Sequence, residues 1–597
     1  MFVNNILAKL SRALTAVVVF CTLFCGVSGA AFAACTSDQI DVNGDGSQCE
    51  TSKFKLTTTF ATSLFFFISA SGTFYVDCGD GGTLTSAADP TDVSDKTISR
   101  TDTTGVEYTC TWDSGGFHTI KFGGTATGYS NSTSDAAISF SKTTASGIVG
   151  QDKIYTISGS LATIFPQFGS SNGQFPRFRQ TFRNANNLAS IPSGLFAGGN
   201  LTGGSHMFHG TFFGCYGVNS VPTGLFSSIT TAATSMFEYT FANTRFTSIP
   251  GNLFSGINTG ADYMFENTFY ESFLTSVPAG LFSGITTGAR GMFEGTFDTC
   301  TGLTSVPAGL FSGITTGADY MFEGTFARSG LSSVPSGLFS GITTGANSMF
   351  EQTFYACTGL TSVPAGLFSG ITTGASSMFE GTFYACTGLT SVPAGLFSGI
   401  TTGASDMFKQ TFYGCTKISG YIPPSTFSGL IANDITKTTN MWANTFYNTK
   451  LAKSCAPGTS QYITGYEGTT NGTTWNGYVS CEPCSETPPE HAEYIANSCD
   501  WVCNSGYAMN DNVCVLCDGV VYNNTCHTAC PVMTTLHAGE YSYPLFADRT
   551  NVPSPVLHFK KDGTTCYTYL EADAGGEHGL KVRYNNAVYH AIDPSAQ

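Results

Sequence analysis

The sequence predicts a multidomain, mainly β protein with short helices: a β-sandwich, a stack of repeats, disulfide-rich modules and a small β-domain, in that order. Three observations predict it. Residues 36–170 have strand-like composition, as in FKLTTTFATSLFFFISASGTFYVDCGDGG. A Thr-Phe landmark then marks ten repeat units, mostly 28 or 29 residues apart. After Leu451 the repeat stops and cysteines crowd in. The expected divisions are a signal peptide at 1–33, the sandwich at 36–170, the repeats at 171–453, cysteine-rich modules at 454–535 and the β-domain at 536–597. At 597 residues the chain is too long for a single core.

Lys9 and Arg12 give the first segment a positive start, ALTAVVVFCTLFCGVSGA supplies an apolar stretch, and Ala31-Phe32-Ala33 matches a small-x-small cleavage pattern. Cleavage is expected after Ala33. Phe32-Ala33-Ala34-Cys35 also loosely resembles a lipobox, which leaves a lipid anchor at Cys35 as the less favoured alternative. No later run approaches the ~18 apolar residues of a membrane span. The expected location is therefore extracellular or at the cell surface. Two of the 21 cysteines leave with the signal, and an oxidising compartment makes disulfides the default for the first and last groups of the remainder.

Charged residues are only 11% of the chain, against a typical value of about 25%. The net charge of −16 reflects scarce Lys and Arg rather than an acidic block. Nucleic acid is excluded as a partner, because its recognition needs clustered basic residues.

The landmark phenylalanines are Phe182, Phe212, Phe241, Phe269, Phe297, Phe326, Phe354, Phe383, Phe412 and Phe446. A fixed period of this size means stacked supersecondary units, each too small to bury its own apolar face. Within one unit, Leu389-Thr390-Ser391-Val392 alternates apolar and polar before Pro393, which predicts a short strand. Ala375, Met378, Phe379 and Phe383 fall at helical spacing behind Thr372 and Thr373, which predicts a short capped helix.

TFYACTGLTSVP resembles the BspA-like leucine-rich repeats of bacterial surface proteins, in which an aromatic and a cysteine precede a Leu-x-x-Ile/Val-Pro strand. The Met-Phe element is similar to a related family of bacterial surface repeats of unknown function. The resemblance covers roughly 171–453. It implies a leucine-rich-repeat-type solenoid serving extracellular recognition or adhesion, with no particular ligand.

Cys215, Cys300, Cys357, Cys386 and Cys415 each sit three residues after a landmark Phe, in units with the longer connection to the next apolar residue. A disulfide ladder is conceivable for the last three. Cys215 and Cys300 have no counterpart in a neighbouring unit, so buried free thiols acting as small apolar plugs are favoured. Six glutamates follow Met-Phe: Glu238, Glu266, Glu294, Glu323, Glu351 and Glu380. Stacked like charges repel, so they must face water, bind cations or meet a basic partner. A solvated helix face is favoured over a ligand stripe, and His209 and Lys409 interrupt the column in flanking units.

In the first domain, Val76-Asp77-Cys78-Gly79-Asp80-Gly81, Tyr108-Thr109-Cys110-Thr111-Trp112 and Gly116-Phe117-His118-Thr119-Ile120 resemble a polycystic-kidney-disease-like (PKD-like) β-sandwich module. That family implies spacing or contact with protein and glycan outside the cell. Cys78 and Cys110 stand where it has an aromatic and a His, at positions close in its fold, which suggests a disulfide between them. Asp41, Asn43 and Asp45 match the first half of a calcium loop. Ser52 stands where the bidentate Glu belongs and Glu50 is two places early, so a surface turn is favoured over Ca2+. Asp113-Ser114-Gly115-Gly116 is like a trypsin-type nucleophile segment, but no matching His segment precedes it.

Toward the carboxy terminus, Cys481 and Cys484, Cys499 and Cys503, Cys514 and Cys517, and Cys526 and Cys530 form short-spaced pairs. Such spacing suits zinc inside a cell, but export favours disulfides, with connectivity open. CNSGYAMNDNVC resembles the cysteine-rich modules, epidermal-growth-factor-like or related, of surface-protein stalks. Hairpins are expected with turns at Asp562-Gly563 and Asn585-Asn586.

No catalytic motif emerges, and His206 and His209 read as surface filler rather than a metal pair. The expectation is a non-enzymatic, cofactor-free binding protein whose partner is an extracellular protein or glycan; a structural stalk or coat component is the alternative. Unit-to-unit differences before Met-Phe mildly favour recognition: Asp262-Tyr263, Arg290-Gly291, Asp319-Tyr320, Asn347-Ser348 and Ser376-Ser377.

Overall fold

Residues that alternate apolar and polar from Phe54 onward build strands with one buried face, as in the buried–intermediate alternation of Phe54–Thr58. The structure, a computed structural model, describes residues 34–452 apart from 89–92, 145–146, 150–151 and 433–439. Beyond 452 it describes 484–495, 499–504, 507–516 and isolated strands. The described residues are mainly β, with one short α-helix at Ser428–Ala432.

The amino-terminal strands are β1 (Gln39–Asp41), β2 (Cys49–Thr51), β3 (Phe54–Thr58), β4 (Ala61–Ile68), β5 (Ala70–Asp77), β6 (Thr83–Ser86) and β7 (Val93–Ser94). They continue with β8 (Thr97–Arg100), β9 (Val106–Gly116), β10 (Thr119–Tyr129), β11 (Ile138–Ser139), β12 (Lys142–Thr144), β13 (Gly147–Val149) and β14 (Ile154–Gly159). One sheet has the order β14-β3-β10-β5-β8-β7 and a second the order β11-β4-β9-β6; β1-β2 and β12-β13 are separate hairpins. The two larger sheets meet through aromatic side chains. Phe66 of β4 lies edge-on to Phe122 of β10 at 5.2 Å and stacks on Tyr108 at 5.7 Å. Cys78 and Cys110 form a disulfide, and Cys35 is bonded to Cys49. The second bond occupies the thiol that a lipid anchor at Cys35 would need.

No linker separates the sandwich from the repeats. Phe140 stacks on Phe182 at 5.5 Å, and its N–H donates to Thr181 O at 2.8 Å. The segment that follows the two sheets thus packs directly on the first repeat. By compactness the chain divides within the repeats instead: one unit runs to Leu360 and takes in Ala375–Cys386, and another holds Thr361–Gly374 and Thr387 onward.

Among the described residues the repeats contain neither the predicted helix nor, for most of their length, the predicted strand. From Met321 to Ser329, N–H groups alternate between two kinds of partner. Those of Met321, Glu323, Thr325, Ala327 and Ser329 donate to the carbonyl three residues back, at 2.9–3.3 Å. Those of Phe322, Gly324 and Phe326 donate to Met349, Glu351 and Thr353 of the next copy, each at 2.9 Å. Tyr320, Gly324 and Arg328 have φ near +60°, +56° and +53°. A left-handed residue at every fourth position forbids an α-helix and makes a ribbon of tight turns. Over nine residues a period of four and a helical 3.6 place the same side chains inside, so the apolar pattern alone did not separate them. The Gly and Asn residues at the left-handed positions did carry the distinction, as at Gly295, Gly324, Gly381, Asn243 and Asn267.

Three phenylalanine columns fill the interior: Phe293–Phe322–Phe350, spaced 5.6 and 5.4 Å, Phe297–Phe326–Phe354, at 5.6 and 5.7 Å, and Phe282–Phe311–Phe339, at 5.9 and 6.0 Å. The landmark Thr is also buried. Thr325 Oγ1 donates to Phe293 O and Thr353 Oγ1 to Phe322 O, each at 2.9 Å. The Leu-x-x-Val-Pro segments touch through bonds such as Ser332 N–H to Thr304 O at 3.0 Å, and Pro335 has no N–H with which to extend the ladder. Only Ser419–Gly420 and Lys450–Leu451, the last such pair, form a parallel bridge.

Cys484 is bonded to Cys499 and Cys503 to Cys514, so in these two bonds each sulfur reaches past its near neighbour in sequence. The side chains of Cys481, Cys517, Cys526 and Cys530 lie outside the described residues, as does most of 536–597. Lys561–Asp562 pairs antiparallel with Thr565–Cys566, and Lys581–Tyr584 with Ala587–His590.

Candidate functional site

Each glutamate of the column follows a buried Phe and precedes a left-handed residue. The ribbon therefore fixes its direction, and hydrogen bonding between copies fixes its register: Gly295 N–H donates to Glu323 O at 2.8 Å, and Gly324 N–H to Glu351 O at 2.9 Å. All six side chains are half-buried. The expectation of a solvated helix face is therefore corrected on both counts.

Burial and neighbouring carboxylates make Glu266, Glu294 and Glu323 hold their protons more tightly than an ordinary glutamate. Burial first, then Glu238 and Glu294, pushes Glu266 up to about 8. Burial, Glu294 and Glu351 push Glu323 up to about 8 as well. Burial raises Glu294, though Arg290 opposes it. Burial alone would raise Glu238, but the His209 imidazole, Nδ1 to Oε2 3.1 Å, holds it below the usual range. His209 is buried rather than surface filler, and His206 lies 6.1 Å from it between ring centres. Lys409, in the other compact unit, is 3.7 Å from Asp406.

The differences before Met-Phe have two origins. Asp262 Oδ1 accepts the N–H of Arg290 at 3.1 Å, Asp319 Oδ1 that of Asn347 at 2.9 Å, and Asn347 Oδ1 that of Ser376 at 3.2 Å. These side chains tie copy to copy and need no ligand to explain them. The Tyr and Arg members form a cluster of half-buried tyrosines around the exposed Arg290 instead. Arg290 Nε donates to Tyr263 Oη at 2.7 Å, and its guanidinium lies 4.8 Å from the Tyr320 ring centre. Farther along the ribbon Tyr355 stacks on Tyr384 at 5.1 Å.

The repeat cysteines are free and buried. Burial pushes the thiols of Cys215, Cys300 and Cys357 up to about 12. Ser272 and Ser329 hold the same place in units without cysteine, at 3.3 and 3.4 Å from the sulfurs of Cys300 and Cys357. The column thus calls for a small hydrogen-bond donor, which the focus on cysteine had obscured.

In the β1–β2 loop, Asp41 Oδ1 accepts N–H groups from Gly44 and Gly46 at 3.0 and 3.1 Å, and Asp45 Oδ1 accepts from Ser47 at 2.8 Å. Asn43 Nδ2 donates to Ser47 Oγ at 3.1 Å. The carboxylates are thereby turned onto backbone amides, the arrangement of a self-capped turn. Among the described residues no group of three or more His, Cys, Asp or Glu is placed to hold a metal ion. Behind the second turn, Trp112 donates to Cys78 O and Gly79 O, both at 3.1 Å, and stacks on His118 at 4.0 Å. Asp113-Ser114-Gly115-Gly116 ends β9.

A basic group at the start of the repeats went unnoticed in the sequence. Arg179 occupies the column position that becomes His209 and then Glu238, and Arg183 lies four residues on, as the other member of the pair. The signal was present as three arginines in the seven residues RFRQTFR, in a chain otherwise poor in them.

No protein-family model, curated protein or solved structure matches the chain.

Proposed function

We propose that this is an exported, non-enzymatic binding protein of a bacterial cell surface or secretion, an adhesin-like scaffold whose leucine-rich-repeat-type solenoid presents ligand-facing columns. A PKD-like module and cysteine-rich modules flank that array in this reading. The observation that carries it is the outward side of the turn ribbon, where successive copies keep the same buried phenylalanines but present Arg179, His209, Glu238 and then a run of glutamates in one column. Disulfides accord with an extracellular site, and no helix among the described residues is long and apolar enough to cross a membrane. The near-verbatim string SVPAGLFSGITTGA favours the second reading, a structural stalk or coat component, since packing alone tolerates volume-conserving swaps.

The test is a glycan and matrix-protein array probed with the whole mature chain, since sandwich and first repeat share a core. Saturable binding that survives removal of the cysteine-rich region supports the scaffold; no binding to any probe leaves the stalk.

A further inference from the structure

The guanidinium groups of Arg179 and Arg183 are half-buried neighbours on the outward side of the first turn ribbon. Burial disfavours the charge on both: Arg183 is pushed down by burial and then by Arg179, with Tyr239 opposing, while Arg179 is pushed down by burial and helped only by Glu238. That carboxylate is already engaged by His209. The Arg183 guanidinium lies over the Phe213 ring, 3.7 Å from its centre, and its buried Nε meets no hydrogen-bond acceptor. Its Nη1 sits 3.7 Å from where a side chain on Gly210 would begin, and Gly210 leaves that place empty.

Other arginines of the molecule show what a satisfied one looks like. Arg328 is paired with Asp298. Arg177, two residues before Arg179, donates to Ser205 O, Ser130 O, Ser132 O and Asn172 Oδ1 at 2.9–3.1 Å. Neither Arg179 nor Arg183 has an ion pair among the described residues. Two part-desolvated cations with no ion pair of their own, and only the engaged Glu238 acting on one of them, favour an anion at this place. His206 adds a second imidazole to the same patch.

We propose that Arg179 and Arg183 form a subsite for a single oxyanion carried by an oligosaccharide, a chain ending in one carboxylate- or sulfate-bearing sugar. The planar guanidinium fork suits either group. Tyr239, 6.2 Å from Phe213, supplies the adjoining surface for a sugar ring. The column itself limits the ligand's charge. Beyond His209 it turns to Glu238, which the imidazole keeps ionised, so a polyanion laid along the ribbon meets a carboxylate directly after the first contact. A ligand with one terminal acid does not.

This inference rests on the binding-protein reading above and narrows it. The experiment measures binding of the full mature chain to an oligosaccharide ending in a carboxylate-bearing acidic sugar, to its sulfated counterpart and to the same oligosaccharide with a neutral end. Arg179→Gln/Arg183→Gln and Arg183→Lys are the variants, and thermal melts with disulfide mapping confirm their fold. The wild type is expected to bind one or both acidic probes and not the neutral one, with affinity falling as salt rises. The double variant should lose roughly tenfold to a hundredfold in affinity with an unchanged melt, and Arg183→Lys should fall between. Equal binding of acidic and neutral probes, equal binding by the double variant, or preference for a carboxyl-terminal peptide overturns the subsite. If neutral glycans or matrix proteins bind regardless, the subsite fails while the binding reading stands; if nothing binds, both fail.

Discussion

The sulfur of Cys357 donates to the carbonyl oxygen of Phe326, in the preceding copy, at 3.0 Å. Cys300 makes the same bond to Phe269 at 3.1 Å and Cys386 to Phe354 at 3.0 Å. These thiols are hydrogen-bonded packing elements between copies. Cys357→Ser should cost less than about 1 kcal/mol, because Ser already serves in the column, whereas Cys357→Ala should cost about 1–2 kcal/mol through the lost bond and volume. Alkylation followed by peptide mapping checks the burial: Cys215, Cys300, Cys357, Cys386 and Cys415 should label only after denaturation. Rapid labelling in the native protein contradicts the packing.

Glu266 and Glu323 predict a pH dependence of stability. A carboxyl whose folded value is raised binds a proton that the unfolded chain releases, so it favours the fold fully below the ordinary 4.5 and loses that effect as pH rises through about 8. Thermal melts should therefore fall between about pH 5 and pH 9. Glu266→Gln and Glu323→Gln should each flatten that fall and stabilise at the alkaline end by on the order of 1 kcal/mol. A melt independent of pH in both variants and wild type removes the shared-proton account.

Gly324 distinguishes the turn ribbon from a helix by the sign of one substitution. In a helix Gly324→Ala would stabilise by about 1 kcal/mol. At φ +56° the same change should destabilise by about 1–2 kcal/mol, since the new Cβ meets the left-handed penalty. Chemical denaturation of the two proteins decides it.

The Cys78–Cys110 bond closes a 32-residue separation and joins the end of β5's chain to β9. Replacing both cysteines by Ser should lower stability by about 3 kcal/mol. Non-reducing peptide mapping should recover the pair as one linked fragment, and finding the two thiols separately alkylated in the native protein rules it out.

The mainly β character and the length of the repeat were legible in the sequence because both are written in strong periodicities, of two in Phe54–Thr58 and of 28 or 29 in the Thr-Phe landmarks. The ribbon was not, because Met378, Phe379 and Phe383 satisfy helix and four-residue turn equally. Only the backbone sign at Ser377, Gly381 and Ala385 separates the two, and Ser and Ala do not announce a left-handed conformation. The glutamate column was visible as a list of positions, but its protonation follows from half-burial, which the exposed turn residues around it do not reveal. The Arg179–Arg183 pair was hidden by counting charge over the whole chain, where two unpaired arginines vanish into a large negative total.

The alternating hydrogen bonds of the ribbon have a consequence for how such a chain can lengthen. Every second peptide group looks to the neighbouring copy, and every copy offers the same edges. Excising residues 304–331 rejoins one copy's edge to an equivalent edge, and duplicating them inserts another with no partner left over. Excising a single residue inside the ribbon itself, 320–329, puts each later N–H opposite the wrong carbonyl, whereas the connection that follows accepts a difference of one, as the 28- and 29-residue spacings show. Within the ribbon the permitted steps of insertion and loss are thus whole copies. The molecule changes reach by copying a paragraph and never by editing a letter, which is why its sentences stay so nearly alike.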